Sequence, residues 1–315
     1  MKIDFDRAVS LLKNAEDVLI LTHMNPDGDT LGSGFALMLG LRQLGKRVKL
    51  VNNDPIPKKY HFLADGCKND EFTEKFIVSV DVAASNLLGK AIEERYGNVD
   101  LAIDHHASNR LFAKETYAEE KSASACEIVY LLLKAMGVKI TADIADRIYT
   151  GCSTDTGCFR YSNVTPRTHR IAAELIEYGA DHAAVNVRMF ETKSMNFLRF
   201  QQKCIDKLET YFDGQVSVIS ITRNLFDETG CGEEDCDAVV ALSRQIEGVK
   251  IGLTFKEKKD GTFKVSVRTN EEYDASLICS EFGGGGHARA AGCQFNCTRD
   301  EAVKRMLDYI GGILK

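Results

Sequence analysis

Val18-Leu19-Ile20-Leu21-Thr22-His23-Met24-Asn25-Pro26-Asp27-Gly28-Asp29 is the stretch that decides the fold. Its first five residues form an unbroken apolar run of strand length, the pattern of a strand buried on both faces. Thr30 to Leu44 follows with Leu31, Phe35, Leu37, Met38 and Leu41 at helical spacing. A buried strand that feeds an amphipathic helix opens an α/β domain, a mainly parallel sheet with helices on both faces.

Working outward, the strand signal recurs at Arg47 to Val51, Phe76 to Val82 and Val99 to Ile103. Ser124-x-x-Glu127 reads as a capping box opening the apolar helix Ile128 to Met136. A further helix is expected over about Ala142 to Thr150, followed by a turn Gly151-Cys152-Ser153-Thr154. Thr165-Pro166 starts another, ending near Tyr178-Gly179. From about Val185 to Leu208 the chain is mixed-polarity helix without a strand. The domains are therefore placed at 1–185 and 209–315, with 186–208 as a helical connection and a cleft between them. In the smaller α/β second domain, Val216 to Ile221 reads as a strand. Ile251 to Phe255, the turn Asp260-Gly261 and Phe263 to Arg268 read as a hairpin. Asp274 caps a helix ending at Gly283 to Gly286, and Thr298-x-x-Glu301 caps a last helix to about Ile310.

A length of 315 residues suits two packed domains. Apolar stretches are too short to span a bilayer, and the acids of Met1 to Arg7 do not suit a signal peptide, so a cytoplasmic protein without membrane contact is expected. The ten cysteines are scattered with no Cys-x-x-Cys pair and are expected to be reduced. A formal charge of −6 argues against coating long nucleic acid, which needs many Lys and Arg contacts to phosphate. A short nucleotide held by a few local cations stays within reach.

The chemistry lies at the strand ends, where an open parallel sheet gathers ligands. His23, Asp27 and Asp29 follow the first strand. Asp81 ends the strand from Phe76, Asp104-His105-His106 ends the strand from Val99, and Asp155 follows the turn after Thr150. Any one of these alone would be an ordinary turn former or surface histidine. Together they exceed what one ion uses, and they fit two hard divalent ions sharing a carboxylate, with positions left for water and substrate oxygens. Ionised Asp27, Asp29, Asp81 and Asp155 would repel one another unless cations neutralised them.

His23 to Ser33, Val80-Asp81, Asp104-His105-His106 and Ser153-Thr154-Asp155-Thr156-Gly157 resemble the four motifs of the DHH phosphoesterase superfamily. Gly283-Gly284-Gly285-Gly286-His287, continued by Ala290-Ala291-Gly292, resembles the glycine-rich signature of the DHH-associated carboxyl-terminal domain. Over nearly the whole chain the pattern is similar to the bacterial oligoribonucleases, or nanoRNases, that also dephosphorylate 3′-phosphoadenosine 5′-phosphate (pAp). The resemblance implies two manganese ions, with magnesium or cobalt as substitutes. His23, Asp27 and Asp81 would hold one; Asp29, bridging Asp81, His105 and Asp155 would hold the other. Asp81, His106 and Asp104 form the catalytic set, His106 facing the phosphate and Asp104 fixing an imidazole tautomer from behind. Arg268, Gly284, Gly285, Gly286, His287 and Arg289 are the expected substrate contacts, the glycines letting backbone amides approach a phosphate. Cys158 and Arg160 receive no role.

The activity implied is hydrolysis of single-stranded RNA or DNA oligomers of two to five nucleotides to mononucleotides, together with pAp dephosphorylation, by a monomer or homodimer that does not bind long duplexes. The rival readings are a manganese-dependent inorganic pyrophosphatase and a catalytically silent nucleotide sensor.

Overall fold

The computed structural model describes residues 1–270 and 272–314, in two compact units that meet in sequence at Thr192 and Lys193. The first unit runs α1 (Phe5–Asn14), β1 (Val18–Leu21), α2 (Gly28–Gln43), β2 (Val48–Val51), β3 (Phe76–Val80), α3 (Lys90–Tyr96), β4 (Leu101–Asp104), β5 (Glu115–Ala118), α4 (Ala125–Met136), α5 (Ala142–Asp155), α6 (Pro166–Glu177) and α7 (His182–Asn186). Its five strands are all parallel, in the order β2-β1-β3-β4-β5. The order reverses between β1 and β3, the kind of switch point at which open α/β sheets gather ligands outside the strands' carboxyl ends.

Alternate residues of β1 point to opposite faces, and both are buried. Val18 and Ile20 pack with α2, α4 and α5, whereas Leu19 and Leu21 pack with Leu88, Tyr96 and Ala102 on the other side. Helix α2 is buried nearly all round because it lies between the sheet and two helices.

The expected turn at Gly151 to Thr154 is not a turn, since α5 continues through it to Asp155. Glycine there serves close approach: a Cβ on Gly151 would lie 2.2 Å from Cys126 Sγ and 2.7 Å from Asp29 Oδ1. On the facing helix, a Cβ on Gly32 would lie 2.4 Å from the Arg147 carbonyl. The backbones of α2 and α5 thus meet, which carries Asp29 and Asp155 toward each other. Gly151→Ala is expected to cost about 1–3 kcal/mol by overpacking. Urea denaturation checks this, and an unchanged midpoint would mean that the helices separate freely.

The Ser124 capping box is only half formed. Ser124 Oγ accepts from the Glu127 N–H at 3.2 Å, but the Glu127 carboxylate turns to Arg167. Thr165 makes a complete box with Thr168. Strand β5 carries no apolar run that would announce it in the sequence.

The second unit comprises α8 (Met195–Asp206), β6 (Glu209–Tyr211), β7 (Val216–Ile221), α9 (Arg223–Thr229), α10 (Cys236–Leu242), β8 (Ile251–Glu257), β9 (Phe263–Thr269), α11 (Ala275–Ser280), β10 (Gly285–His287), β11 (Ala290–Phe295) and α12 (Arg299–Ile313). Its sheet has the order β10-β11-β9-β8-β7-β6 and is antiparallel except for β7 with β8. Phe255, Val265, Val267 and Cys293 pack against α11 and α12 on one face. The glycine run expected to end a helix forms instead a bend and an edge strand: α11 stops at Ser280, and Gly285 to His287 pair with Ala290 to Gly292. A Cβ on Gly284 would collide with the Gly292 carbonyl at 2.2 Å, so only glycine permits this packing.

No helix among the described residues is long and apolar enough to cross a membrane. None of the ten cysteines forms a disulfide.

Candidate metal centre

Each candidate ligand owes its position to a strand or helix end. His23 leaves β1, and its Nδ1–H donates to the Met24 carbonyl at 2.8 Å, which turns the Nε2 lone pair outward. Asp27 is the N-cap of α2, where Oδ1 accepts from the Asp29 and Thr30 N–H groups. Its other oxygen lies 3.6 Å from His23 Nε2. Asp29 is buried, and its carboxylate takes the N–H groups of Ala125 at 2.6 Å and Cys126 at 2.9 Å, at the positive end of α4.

Asp81 sits just beyond β3 with φ 59, in the left-handed region that non-glycine residues rarely adopt. Such strain persists only where surrounding structure fixes it, and it commonly marks a functional site. Here the Asp81 N–H donates to the Ile103 carbonyl at 2.9 Å. Its Oδ2 lies 3.5 Å from His23 Nε2, and its Oδ1 lies 3.5 Å from His105 Nε2. His105 Nε2 is also 3.8 Å from Asp29 and 3.6 Å from Asp155, while its Nδ1 meets the Ser122 carbonyl at 3.2 Å.

Three candidate ligand triplets result among the described residues: His23, Asp27 and Asp81; Asp29, His105 and Asp155; and Asp81, His105 and His106. Nitrogen-to-oxygen separations of 3.5–3.8 Å are long for charged hydrogen bonds. Two ligands of one ion, each about 2.1 Å from it, stand roughly 3.0–3.4 Å apart, so the spacing suits a shared ion better than a proton. Asp81 Oδ1 is moreover buried without a hydrogen-bond partner. An unsatisfied buried carboxylate oxygen facing imidazole nitrogens is what a cation would satisfy. The donor set therefore fits divalent metal.

Asp104, fully buried at the end of β4, accepts from His106 Nδ1 and the His105 N–H, both at 2.8 Å, and from Asn109 Nδ2 at 2.6 Å. These contacts fix the His106 ring. Asn109, Ser122 and Arg167 were not legible as site residues. Arg167 ties Glu119, Ser122 and Glu127 together, and so anchors the loop whose carbonyl orients His105. Ser122 acts on His105 through its backbone, so its side chain carries no signal. Arg160 Nε donates to the Gly157 carbonyl after α5, and Cys158 lies in the left-handed region beside it, an account of the loop but not of chemistry.

Electrostatics repeat the geometric argument. Burial lowers the His23 pKa, but Asp27 and Asp81 outweigh it and push it to about 11. His105 is lowered by burial and raised, chiefly by Asp81 and Asp29, to about 10. Burial and the neighbouring Asp81 carboxylate raise Asp29 well above the usual range, and burial with Asp81 and Asp27 carries Asp155 to about 7 against the pull of His105. Asp104 raises His106 against its burial. Without metal the cluster thus retains protons on His23 and His105 at neutral pH, and metal must displace them. Apparent affinity should therefore rise with pH between 6 and 8, by about tenfold per unit for each proton released. Calorimetric titration in buffers of different ionisation enthalpy measures that release; zero protons displaced would contradict these assignments.

In the second unit, Arg268, Ala290 and His287 stand opposite one another across three strands, which puts Arg268 and His287 in one row. Gly285, Gly286 and His287 are exposed in the edge strand. Arg289 does not simply offer a charge, because its Nη1 donates to the carbonyls of Asn270 and Tyr273 and pins both residues.

Comparison with known proteins follows the same two-unit division. Residues 17–152 match the DHH family N-terminal domain, and residues 213–315 match the DHHA1 domain. A relative from Thermus thermophilus, named bifunctional oligoribonuclease and PAP phosphatase NrnA, is 33% identical over 93% of this chain and 89% of its own. The Bacillus subtilis protein of the same name is 25% identical over 98% of this chain and 97% of its own. A crystal structure from Bacteroides fragilis, described as an exopolyphosphatase-related protein, superposes with a TM-score of 0.87 at 25% identity, covering 98% of this chain and 96% of that one. With both domains matched in order and full-length relatives named as phosphoester hydrolases, the chain belongs to the DHH/DHHA1 family of phosphoesterases.

Proposed function

We propose that this protein is a two-metal phosphodiesterase and phosphatase that hydrolyses oligomers of two to five nucleotides to mononucleotides and also dephosphorylates pAp. The observation that carries the reading is Asp81, whose two oxygens face two different histidines at 3.5 Å each. A carboxylate so placed can be shared between two ions. His23, Asp27 and Asp81 would hold one, and Asp29, Asp81, His105 and Asp155 the other. The mixed imidazole and carboxylate donors admit manganese, our first choice, with magnesium or cobalt as substitutes. When bound, the ions lower the pKa of water and offset charge on the phosphate oxygens.

The chain's own residues supply orientation and proton placement. The carbonyls of Met24 and Ser122 hold His23 and His105 as Nδ1–H tautomers. Asp104 accepts the His106 Nδ1–H and raises its pKa, which leaves Nε2 as a protonated donor to a nonbridging phosphate oxygen as charge develops there. In the second unit, Arg268 and His287 would contact a substrate phosphate, and the outer edge of Gly285 and Gly286 would offer it backbone N–H groups, whereas the Gly284 N–H is already given to the Cys279 carbonyl at 2.9 Å. Arg289 would act by holding Asn270 and Tyr273 in place. The names of the Thermus and Bacillus relatives support the same substrate class.

The test is product chromatography with metal-stripped protein, 5′-phosphorylated di-, tri- and pentanucleotides, and pAp, with and without manganese. Manganese-dependent mononucleotide release together with adenosine 5′-phosphate from pAp is the expected result. Phosphate released from pyrophosphate alone would replace this reading with a pyrophosphatase, and binding without turnover would replace it with a sensor.

A further inference from the structure

The face of the second unit's sheet opposite α11 and α12 carries a basic row. In β8, β9 and β11, Lys256 stands directly opposite Lys264, and Lys264 directly opposite Gln294. Lys258 joins them, its Nζ donating to Gln294 Oε1 at 3.2 Å. Like charges directly opposite across strands destabilise a sheet. Edge protection, a common reason for strand lysines, does not account for these, because β8 and β9 lie inside the sheet order. Among the described residues, Glu233 pairs with Lys256 at 3.0 Å and is shared with Arg223, and Asp260 feels the charge of Lys258. Lys264 is exposed on the same face.

Beside the lysines the next row is nearly bare, since Ser266, Gly292 and Gly285 stand opposite one another. The charged row, with Gly285 and Gly292 of the bare row, lines an open cavity of about 690 Å³. That volume falls in the range of small-molecule sites. Lysine ammonium groups bind phosphate as point charges and read no base, and the bare row leaves space for a sugar.

We propose that Lys264, with Lys256 and Lys258, forms a second phosphate site that takes a phosphodiester of the oligonucleotide other than the one hydrolysed. The proposal rests on the nucleotide-hydrolysing function above. It makes this face a determinant of preference between oligomers and ligands such as adenosine 5′-phosphate that carry a single phosphate.

The test is equilibrium binding of a 3′-fluorescein-labelled, 5′-phosphorylated pentanucleotide to the full chain in EDTA, across a salt series. Lys264→Gln is expected to weaken binding about five- to tenfold and to reduce the slope of log affinity against log salt by about 0.7. Competition by adenosine 5′-phosphate should change less than about twofold by the same counterion reasoning. Lys304→Gln, the same charge change on α12, should leave both unchanged. Equal effects of the two variants, an unaltered slope, or no pentanucleotide binding by the unmodified chain at low salt would overturn the proposal. If Lys264→Gln behaves as expected but manganese restores no mononucleotide release to the unmodified protein, the phosphate site stands and the hydrolytic function fails. If the protein hydrolyses oligomers and Lys264→Gln binds them normally, the reverse holds.

Discussion

Asp81→Ala is expected to reduce kcat by about a thousandfold or more, the largest single effect in the molecule, because one carboxylate would serve both ions. Asp81 is only 3% exposed and has one oxygen toward each histidine. Removing it opens both ligand sets, whereas removal of Asp27 or Asp155 opens one. Asp81→Asn is the companion variant, since asparagine tolerates the left-handed backbone at φ 59 and keeps the side-chain shape while losing the charge. Its circular dichroism should match the unmodified protein while its turnover collapses. A variant that folds and keeps more than about a tenth of the normal rate would contradict the bridging role.

Metal removal should be nearly as visible in stability as in activity. The first unit holds every candidate ligand triplet found among the described residues. An ion present at a hundred times its dissociation constant stabilises the folded state by about 2.7 kcal/mol. For a unit of this size each kcal/mol is worth roughly 2–4 °C, so chelation should lower its melting temperature by about 5–11 °C. Burial and mutual repulsion of Asp29, Asp81 and Asp155 act in the same direction, as the raised pKa of Asp29 and Asp155 indicates. Scanning calorimetry with EDTA, then with manganese restored, measures the shift. Unchanged melting on stripping and restoring metal would remove the shared cluster from consideration.

Much of the fold could be read from the sequence because its strands are buried on both faces. The apolar runs at Val18, Phe76 and Val99 have no other stable use in a polar chain, and β1, β3 and β4 lie on them. Strands β5, β6 and β10 escaped because each is an edge or outer element of three or four residues. β6 and β10 pair from one side only, and β5 has beyond β4 only the bridge from Lys2 to Thr116, so none needs an apolar run to persist. Gly151 misled for a related reason: glycine signals a turn when conformational freedom is the requirement, yet here the requirement is helix contact across α2 and α5.

By itself the sequence determined that His and Asp side chains gather as candidate ligands, because they follow successive strands whose ends are fixed by hydrophobic patterning. Tertiary structure alone decided which oxygen of Asp81 faces which histidine, that the carbonyls of Met24 and Ser122 set the tautomers, and that Arg289 braces Asn270 and Tyr273. It alone brought Lys256 and Lys264 side by side. These depend on backbone atoms and on register between distant strands, neither of which is encoded by the type of the residue that performs the contact.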